Sequence, residues 1–202
     1  MEIRNIIFDL GGVLLNLDFD KTRQAYIDLG LKEFDQHFGL GHAASYFKDY
    51  EKGLLTDDEF IQAIQQTIGG SVDASSIVAA WNALLLDFPS ARVSFLQGLS
   101  KRYRIFLFSN TNNIHMQYFK KDFQEVYGFN MDDLFERAYY SHVAGVRKPD
   151  AAAYHLVLQE NDLIPAQTVF IDDALNNVEA AIAVGMHGIH LVPGKTILDL
   201  NF

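Results

Sequence analysis

The sequence predicts an α/β fold, a doubly wound parallel sheet that carries an inserted α-helical cap. Short apolar segments rich in β-branched and aromatic residues recur along the chain, and such segments are typical of strands buried on both faces. Helical patterns separate these strands at short intervals, which favours a parallel sheet with helices on both faces. Residues 16–88 have helical patterns without a strong strand pattern, so we assign them to the cap domain. Residues 1–15 and 89–202 then form the α/β core domain.

The first predicted strand, Ile3–Phe8, is followed by a single carboxylate and by two glycines. Asp9 stands at the carboxyl end of this strand, where open α/β sheets place their ligands. Gly11 and Gly12 allow the backbone to turn tightly and to approach a ligand, because neither residue has a Cβ atom. Asp9 is therefore the first candidate site residue.

The predicted cap begins with a helix over Lys21–Leu29. Asp18 and Asp20 are candidate N-caps for it, and Gly30 would end it. Residues 56–59 have the Thr-x-x-Glu form of a capping box, which predicts a second helix starting there.

The second and third predicted cap helices each have an apolar face. The helix after the capping box, ended by Gly69-Gly70, has four apolar residues at helical spacing: Phe60, Ile61, Ile64 and Ile68. The next helix starts at Ser75 or Ser76 and carries five: Ile77, Val78, Trp81, Leu84 and Leu85. The aromatic residues of Tyr46–Tyr50 and Phe60 are expected to form the cap core.

The chain returns to the core domain at Pro89. Helices are predicted over Ala91–Ser100, Asp150–Glu160 (with Pro149 in the first turn) and Ala174–Val184. A polar, partly helical segment leads from Asn112 to Phe135. Four further strands are predicted: Arg104–Phe108, Arg137–Tyr140, Thr168–Ile171 and His187–Val192.

The composition excludes several classes of function. The chain has no cysteine, so it can form neither a disulfide framework nor a thiolate metal site. Its net charge of −10 disfavours nucleic acid and anionic membranes as partners. It has no signal-peptide pattern and no apolar run of membrane-spanning length. We therefore expect a soluble, cytoplasmic protein.

Polar residues follow four of the predicted core elements, and a parallel sheet would collect them at one edge. The residues are Asp9, Ser109, Asn110, Lys148, Asp172 and Asp173. Three carboxylates in one crevice would repel one another unless a cation neutralised them, and an all-oxygen set suits Mg²⁺. An ammonium and a hydroxyl are the usual partners of phosphate oxygens. This combination predicts phosphoryl transfer to a carboxylate.

Four motifs, in this order, resemble those of the haloacid dehalogenase (HAD) superfamily, specifically its phosphatase branch with a helical cap inserted after the first motif. They are Phe8–Val13 (FDLGGV), Phe108–Asn110 (FSN), Gly145–Asp150 (GVRKPD), and Phe170–Asp173 (FIDD) with Asn177. The resemblance covers essentially the whole chain and implies a Rossmann-like core.

The resemblance also implies a role for each residue of the acceptor and phosphate site. Asp9 would be the nucleophile that forms an aspartyl-phosphate. Ser109 and Asn110 would hold the transferring phosphoryl group. Lys148 would offset its charge and orient Asp9.

For the metal, the resemblance implies that Asp9 and Asp173 bind Mg²⁺ directly and that Asp172 acts through water or through other ligands. The backbone carbonyl of Gly11 would also face the metal. Gly11 is a departure from the family, whose phosphatases usually carry a second Asp there to protonate the leaving group and activate water. A missing general acid/base typically costs about 10²–10⁴-fold in rate, although the DLG form recurs within the cap-bearing branch.

We therefore expect a Mg²⁺-dependent phosphatase acting on a small phosphorylated metabolite, such as a sugar phosphate. A haloacid dehalogenase would also use an Asp nucleophile, but it needs no metal. A third hypothesis is that the protein is a catalytically weak or silent phosphometabolite-binding module. A phosphomutase is disfavoured because it relies on the missing acid. We expect a monomer or a weak homodimer.

Several other polar residues are expected to lie outside the catalytic machinery. His115 and His142 are candidate acid/base groups, but a lone His is more often structural. Lys48, Lys52 and Arg147 are expected to be solvated charges rather than substrate contacts.

Cap motion is expected about hinges near residues 16–18 and 88–89, because the site must admit substrate and then exclude water.

Overall fold

The structure is a computed structural model that describes residues 2–31, 34, 45–69 and 72–202. Its strands are β1 (Asn5–Phe8), β2 (Arg104–Ser109), β3 (Arg137–Tyr140), β4 (Thr168–Asp172) and β5 (His187–His190). Its α-helices are α1 (Phe19–Asp28), α2 (Ser45–Glu51), α3 (Asp57–Ile68), α4 (Ala74–Asn82), α5 (Ser90–Leu99), α6 (Asn113–Tyr127), α7 (Ser141–Ala144), α8 (Ala151–Glu160) and α9 (Leu175–Ala183). Three 3₁₀ turns cover Met131–Leu134, Pro165–Gln167 and Ile197–Asp199.

The five strands form one parallel sheet in the order β3-β2-β1-β4-β5, which confirms the predicted fold class. β1 is central and buried along its whole length, as its consecutive apolar residues Ile6–Phe8 predict. Phe8, its last residue, pairs with Leu107 of β2 and with Ile171 of β4. Strand order reverses between β1 and β4, and ligands of open α/β sheets bind at such a point.

Both faces of the sheet are covered by apolar clusters. One face packs with α5, α6 and the C-terminal 3₁₀ turn, and the other packs mainly with α8 and α9. This two-sided burial explains why β1, β2 and β4 have consecutive apolar residues rather than alternating ones: Ile6–Phe8, Ile105–Phe108 and Val169–Ile171.

Helices α1 to α4 pack in a third cluster of their own, joined by Ile114 of α6. Its centre is aromatic, as predicted, with the rings of Tyr50 and Phe60 stacked at a centroid distance of 4.1 Å. The assignment of residues 16–88 as a separate cap domain stays a prediction.

The two segments that connect this cluster to the sheet are hydrogen-bonded to each other. Asn16 N–H donates to the carbonyl of Asp87 at 3.0 Å, and Leu86 N–H donates back to the carbonyl of Asn16 at 3.0 Å. Asp18 N–H donates to the carbonyl of Leu84 at 2.9 Å. Hinge motion here stays a prediction, and it would have to bend this pair of segments together.

The start of α4 was wrongly predicted. Its N-cap is Asp73, whose carboxylate accepts a hydrogen bond from Ser76 N–H, so the helix begins at Ala74 rather than at a serine. It ends at Asn82, and Leu84 and Leu85 pack in the main core cluster instead. An ionised carboxylate is a strong N-cap, and the serines of the first turn donate to it.

Other predicted ends are confirmed or moved by a few residues. Asp18 caps α1, and Thr56 with Glu59 forms the capping box of α3. Gly69 ends α3 with a left-handed φ of 74°, whereas Gly70 lies outside the described residues. Pro149 lies before α8 rather than in its first turn, because Asp150 is still extended. In the described part of the chain, each helix is too short or too polar to span a membrane.

Candidate active site

The ends of two neighbouring strands bring the three predicted carboxylates together at one edge of the sheet. Asp9 follows β1, Asp172 ends β4, and Asp173 comes next in the chain. Each offers one oxygen atom, and these oxygens lie within 4.8 Å of one another. The parallel pairing of β1 with β4 produces this convergence, since it aligns their carboxyl ends.

A lysine is buried among these carboxylates. The Lys148 side chain is only 1% exposed, and its Nζ donates to Asp9 Oδ1 and to Asp172 Oδ2, both at 2.7 Å. The ammonium also lies over the faces of Phe108 and Phe170, 5.4 and 5.2 Å from the ring centroids. Burial alone would lower the pKa of Lys148, but the two carboxylates outweigh it and raise the pKa, so the lysine stays protonated.

Asp172 and Asp173 have opposite surroundings. Asp172 is fully buried, and its Oδ1 accepts from Ala174 N–H at 2.8 Å and from Asn177 Nδ2 at 3.1 Å. Its Oδ2 accepts from Asn177 and from Lys148. The Asp173 carboxylate is exposed, and no other described residue donates a hydrogen bond to it. Asp173 is therefore the carboxylate of this pair that is available to a ligand.

The charge balance of the cluster fits a divalent cation. Burial raises the pKa of Asp9 to about 7; the Lys148 ammonium opposes this rise, and the Asp172 charge adds to it. Burial, and then the charge of Asp172, raises the pKa of Asp173. One ammonium thus serves three carboxylates, and the excess negative charge is unfavourable without a further cation. Because the donors are all oxygen atoms, the set suits Mg²⁺.

The turn after Asp9 explains why one of the two glycines is required. Gly12 has φ of +72°, and a Cβ atom on it would lie 2.5 Å from Asp173 Oδ2. Gly11 does not have a positive φ, but a Cβ atom there would lie 2.8 Å from Leu17 Cδ1. Leu17 therefore occupies the space next to the position where the family's phosphatases usually carry the second Asp.

Gly12→Ala is expected to weaken Mg²⁺ binding by about 10-fold or more, because the new methyl group would displace the Asp173 carboxylate. The matched control is Gly128→Ala at the end of α6, where φ is +77° and nothing lies within 4 Å of the added Cβ. Both variants should lose about 1–2 kcal/mol of stability from the left-handed backbone. Mg²⁺ titration and thermal unfolding measure the two effects. Equal metal affinity in the two variants would contradict this account of Gly12.

Ser109 and Asn110 lie at the end of β2, at the same sheet edge, as predicted. Ser109 is buried. The Asn110 amide makes two 2.9 Å hydrogen bonds with the backbone of Lys148: Nδ2 donates to the carbonyl, and Oδ1 accepts from the N–H. This side chain fixes the backbone that carries Lys148, a positioning contact that the sequence did not predict. The predicted phosphate-binding role of both residues stays a prediction.

The two histidines differ in position. His115 is buried in α6 with its Nδ1 2.8 Å from Asn82 Oδ1, and burial lowers the pKa of His115 to about 3. His142 Nδ1 lies 3.2 Å from the carbonyl of Thr111. Burial lowers its pKa too, while the hydrogen bond to Thr111 opposes the change. Neither ring is protonated at neutral pH, so neither is a ready proton donor.

The prediction that Arg147 is a solvated charge is wrong. Its guanidinium makes an ion pair with Glu51 of α2, with both Nε and Nη2 close to Oε2, at 2.9 and 2.7 Å. Lys52 likewise faces Asp150, at 3.4 Å. These pairs join residues about a hundred positions apart, so no local pattern could have predicted them.

A cavity of about 190 Å³ lies between the sheet edge and the helices of the third cluster. Gly11, Ser109 and Asn110 contribute to one side of it. Residues that the motifs do not include also line it, among them Leu17, Glu51, Trp81, Leu85, His115 and Phe119. The cavity is thus next to the carboxylate cluster.

Comparisons with known proteins agree with this geometry. Residues 3–185 match the family model described as haloacid dehalogenase-like hydrolase. A D-ribitol-5-phosphate phosphatase of Bacteroides thetaiotaomicron is 30% identical over 91% of this chain and 89% of its own length. A sesquiterpene phosphatase of Aspergillus oryzae is 31% identical over 96% of this chain and 93% of its own.

Among solved structures, a variant of a HAD-family enzyme from Bacteroides thetaiotaomicron, in complex with magnesium and inorganic phosphate, has a TM-score of 0.91 to this chain. The two are 32% identical, and the match covers 96% of each. On the evidence of the family match and these relatives, the chain belongs to the haloacid dehalogenase-like hydrolases.

Proposed function

We propose that the protein is a Mg²⁺-dependent phosphatase that hydrolyses a small phosphorylated metabolite through an aspartyl-phosphate on Asp9. The observation that carries this proposal is the cluster of Asp9, Lys148 and Asp172, with the unengaged carboxylate of Asp173 beside it. The similarity of the chain to two phosphatases and to an enzyme complexed with magnesium and phosphate supports the same activity.

In this mechanism, an oxygen of the Asp9 carboxylate attacks phosphorus and the ester P–O bond breaks. Water protonates the departing alkoxide, since Gly11 offers no acid. A second water then attacks phosphorus and gives a proton to the hydroxide that the first water left. The bond between phosphorus and the Asp9 oxygen breaks, which releases inorganic phosphate and restores the carboxylate. Lys148 keeps Asp9 oriented and offsets negative charge at the transferring group.

Mg²⁺ would be held by the carboxylates of Asp9 and Asp173 and by the backbone carbonyl of Gly11. When bound, it supplies positive charge that stabilises the phosphoryl oxygens. Asp172 would act through water or through its neighbours, because its own oxygens already accept four hydrogen bonds.

The test is a screen of the purified protein with Mg²⁺ against a panel of phosphate monoesters that includes sugar and polyol phosphates, aryl phosphates and terpenoid phosphates. We expect turnover of at least one small phosphate and its loss on exhaustive chelation. Activity on 2-haloacids that survives chelation would favour the dehalogenase. Tight binding of phosphate without turnover would favour a silent binding module.

Asp173→Asn is expected to weaken Mg²⁺ binding more than Asp172→Asn does, because among the described residues Asp172 accepts four hydrogen bonds whereas no other residue donates one to the Asp173 carboxylate. Asp172→Asn should instead lower the melting temperature, since it disturbs the bonds from Lys148 and Ala174. Calorimetric Mg²⁺ titration and thermal unfolding of both variants separate the two effects. Equal metal affinities would contradict the assignment of Asp173 as the direct ligand.

A sugar phosphate remains the substrate that we propose. Three statements about the protein stay predictions: that it is cytoplasmic, that it is a monomer or a weak homodimer, and that it has no nucleic-acid partner.

A further inference from the structure

The cavity beside the carboxylate cluster is lined by the imidazole of a histidine. His115 lines this cavity together with Gly11 and Asn110. The cavity volume of about 190 Å³ is below the roughly 300–1,000 Å³ of sites for drug-sized ligands. A leaving group of a few carbon atoms suits this space.

The surrounding residues hold the His115 ring in one orientation. Its backbone N–H donates to Asn112 Oδ1 at 3.0 Å, and the same oxygen accepts from Trp81 Nε1 at 3.3 Å. The indole and imidazole rings are stacked, with centroids 4.7 Å apart and planes inclined by 10°. On the ring itself, Nδ1 lies 2.8 Å from Asn82 Oδ1.

The Asn82 oxygen also determines where the proton on the ring lies. An amide oxygen can only accept, so His115 Nδ1 carries the hydrogen and Nε2 keeps its lone pair. The low pKa of His115 that burial produces keeps the ring neutral. Among the described residues, none makes a hydrogen bond to Nε2, and this nitrogen is not completely enclosed by the protein. It is therefore an acceptor available to a donor, on a ring that lines the cavity.

We propose that His115 Nε2 accepts a hydrogen bond from a hydroxyl group of the substrate's leaving group. The site would thereby select small hydroxylated phosphate monoesters over alkyl monoesters of the same length. This inference rests on the proposed phosphatase function and names the residue that would select its hydroxylated substrate. Asn82 is then a positioning residue, because it acts by holding the tautomer of His115 rather than by touching the substrate.

Two variants of His115 separate hydrogen bonding from packing. His115→Phe keeps a ring to stack on Trp81 but removes both nitrogens, whereas His115→Gln keeps a side-chain oxygen that can accept. Each is assayed on a three- to five-carbon polyol phosphate and on the n-alkyl phosphate of equal length. In His115→Phe, the ratio of kcat/KM for the polyol over the alkyl phosphate should fall by about 10-fold or more, mainly through KM. His115→Gln should restore part of that ratio.

The second readout is the tautomer itself, which ¹⁵N NMR of the imidazole reports without turnover. The wild type should show the neutral ring with the proton on Nδ1, and Asn82→Leu should move that proton to Nε2. Asn82→Leu should also lower the polyol preference, since Nε2 would then no longer accept.

The outcomes are distinguishable from failure of the proposed function. A wild-type protein that hydrolyses no phosphate monoester would overturn the phosphatase and this inference together. An active wild type with the proton on Nε2 would overturn only the inference. So would His115 variants that lose activity equally on the polyol and alkyl phosphates, or that lose none, because a structural role alone would give those results.

Discussion

Asp9→Asn is expected to lower kcat by at least about 10⁴-fold while leaving the fold intact. The amide has nearly the shape of the carboxylate, but its oxygen is a poor nucleophile. That oxygen can still accept the hydrogen bond that Lys148 Nζ now donates to Asp9 Oδ1 at 2.7 Å. Burial disfavours the charged form of Asp9, so the melting temperature in metal-free buffer should equal or exceed that of the wild type. Steady-state kinetics and thermal unfolding measure the two effects.

The control for this variant is Asp133→Asn, the same substitution at an exposed carboxylate. It should change neither kcat nor the melting temperature. Retention of more than a few per cent of activity by Asp9→Asn would show that Asp9 is not the nucleophile. A large fall in melting temperature would show that its charge supports the fold instead.

Lys148→Met is expected to abolish turnover and to destabilise the metal-free protein by about 3–5 kcal/mol. The substitution removes the ammonium that both Asp9 and Asp172 contact and leaves two buried carboxylates beside each other. Denaturant unfolding at pH 7.5 and at pH 5 measures the loss. Without the lysine, which now opposes the rise, the pKa of Asp9 should lie further above its unfolded value. The folded variant then binds more protons than the unfolded variant, so its loss of stability relative to the wild type should shrink as the pH falls.

Two further variants test the reason for this loss. Lys148→Met combined with Asp172→Asn should regain part of the stability, because one of the opposed charges is gone, but none of the activity. Lys195→Met is the control: this lysine is exposed and pairs with Asp199 at 3.6 Å, so its loss should have little effect. A double variant no more stable than Lys148→Met would contradict charge repulsion as the cause.

The sheet edge and its candidate residues could be predicted from the sequence because both depend on local patterns. Unbroken apolar segments indicate strands buried on both faces, and alternation with helices indicates parallel pairing. The carboxyl ends of parallel strands meet at one edge, which places Asp9, Ser109 and Asp172 together without any knowledge of packing. The four motifs added Lys148 to that set, although no strand ends at this residue.

Contacts between distant segments could not be predicted in this way. The bond from Asn110 to the Lys148 backbone, the ion pair of Arg147 with Glu51, and the bond between His115 and Asn82 each depend on how helices pack. Such contacts leave no periodicity in the sequence. The wrongly predicted start of α4 has a different cause. Asp73, Ser75 and Ser76 could each cap this helix, and the choice among them depends on the final geometry.

The sequence by itself determined that this protein has a parallel α/β core with an oxygen-rich cluster at the carboxyl edge of the sheet. Hydrophobic periodicity and the order of the strands are properties of the chain alone. Only the tertiary structure decided which oxygens are already bonded and which are available. It engages all of Asp172, leaves Asp173 open, and requires Gly12 rather than Gly11 to have a left-handed backbone. The physical reason is that hydrogen-bond saturation and steric space depend on every neighbour of an atom, and most of those neighbours are distant in the sequence.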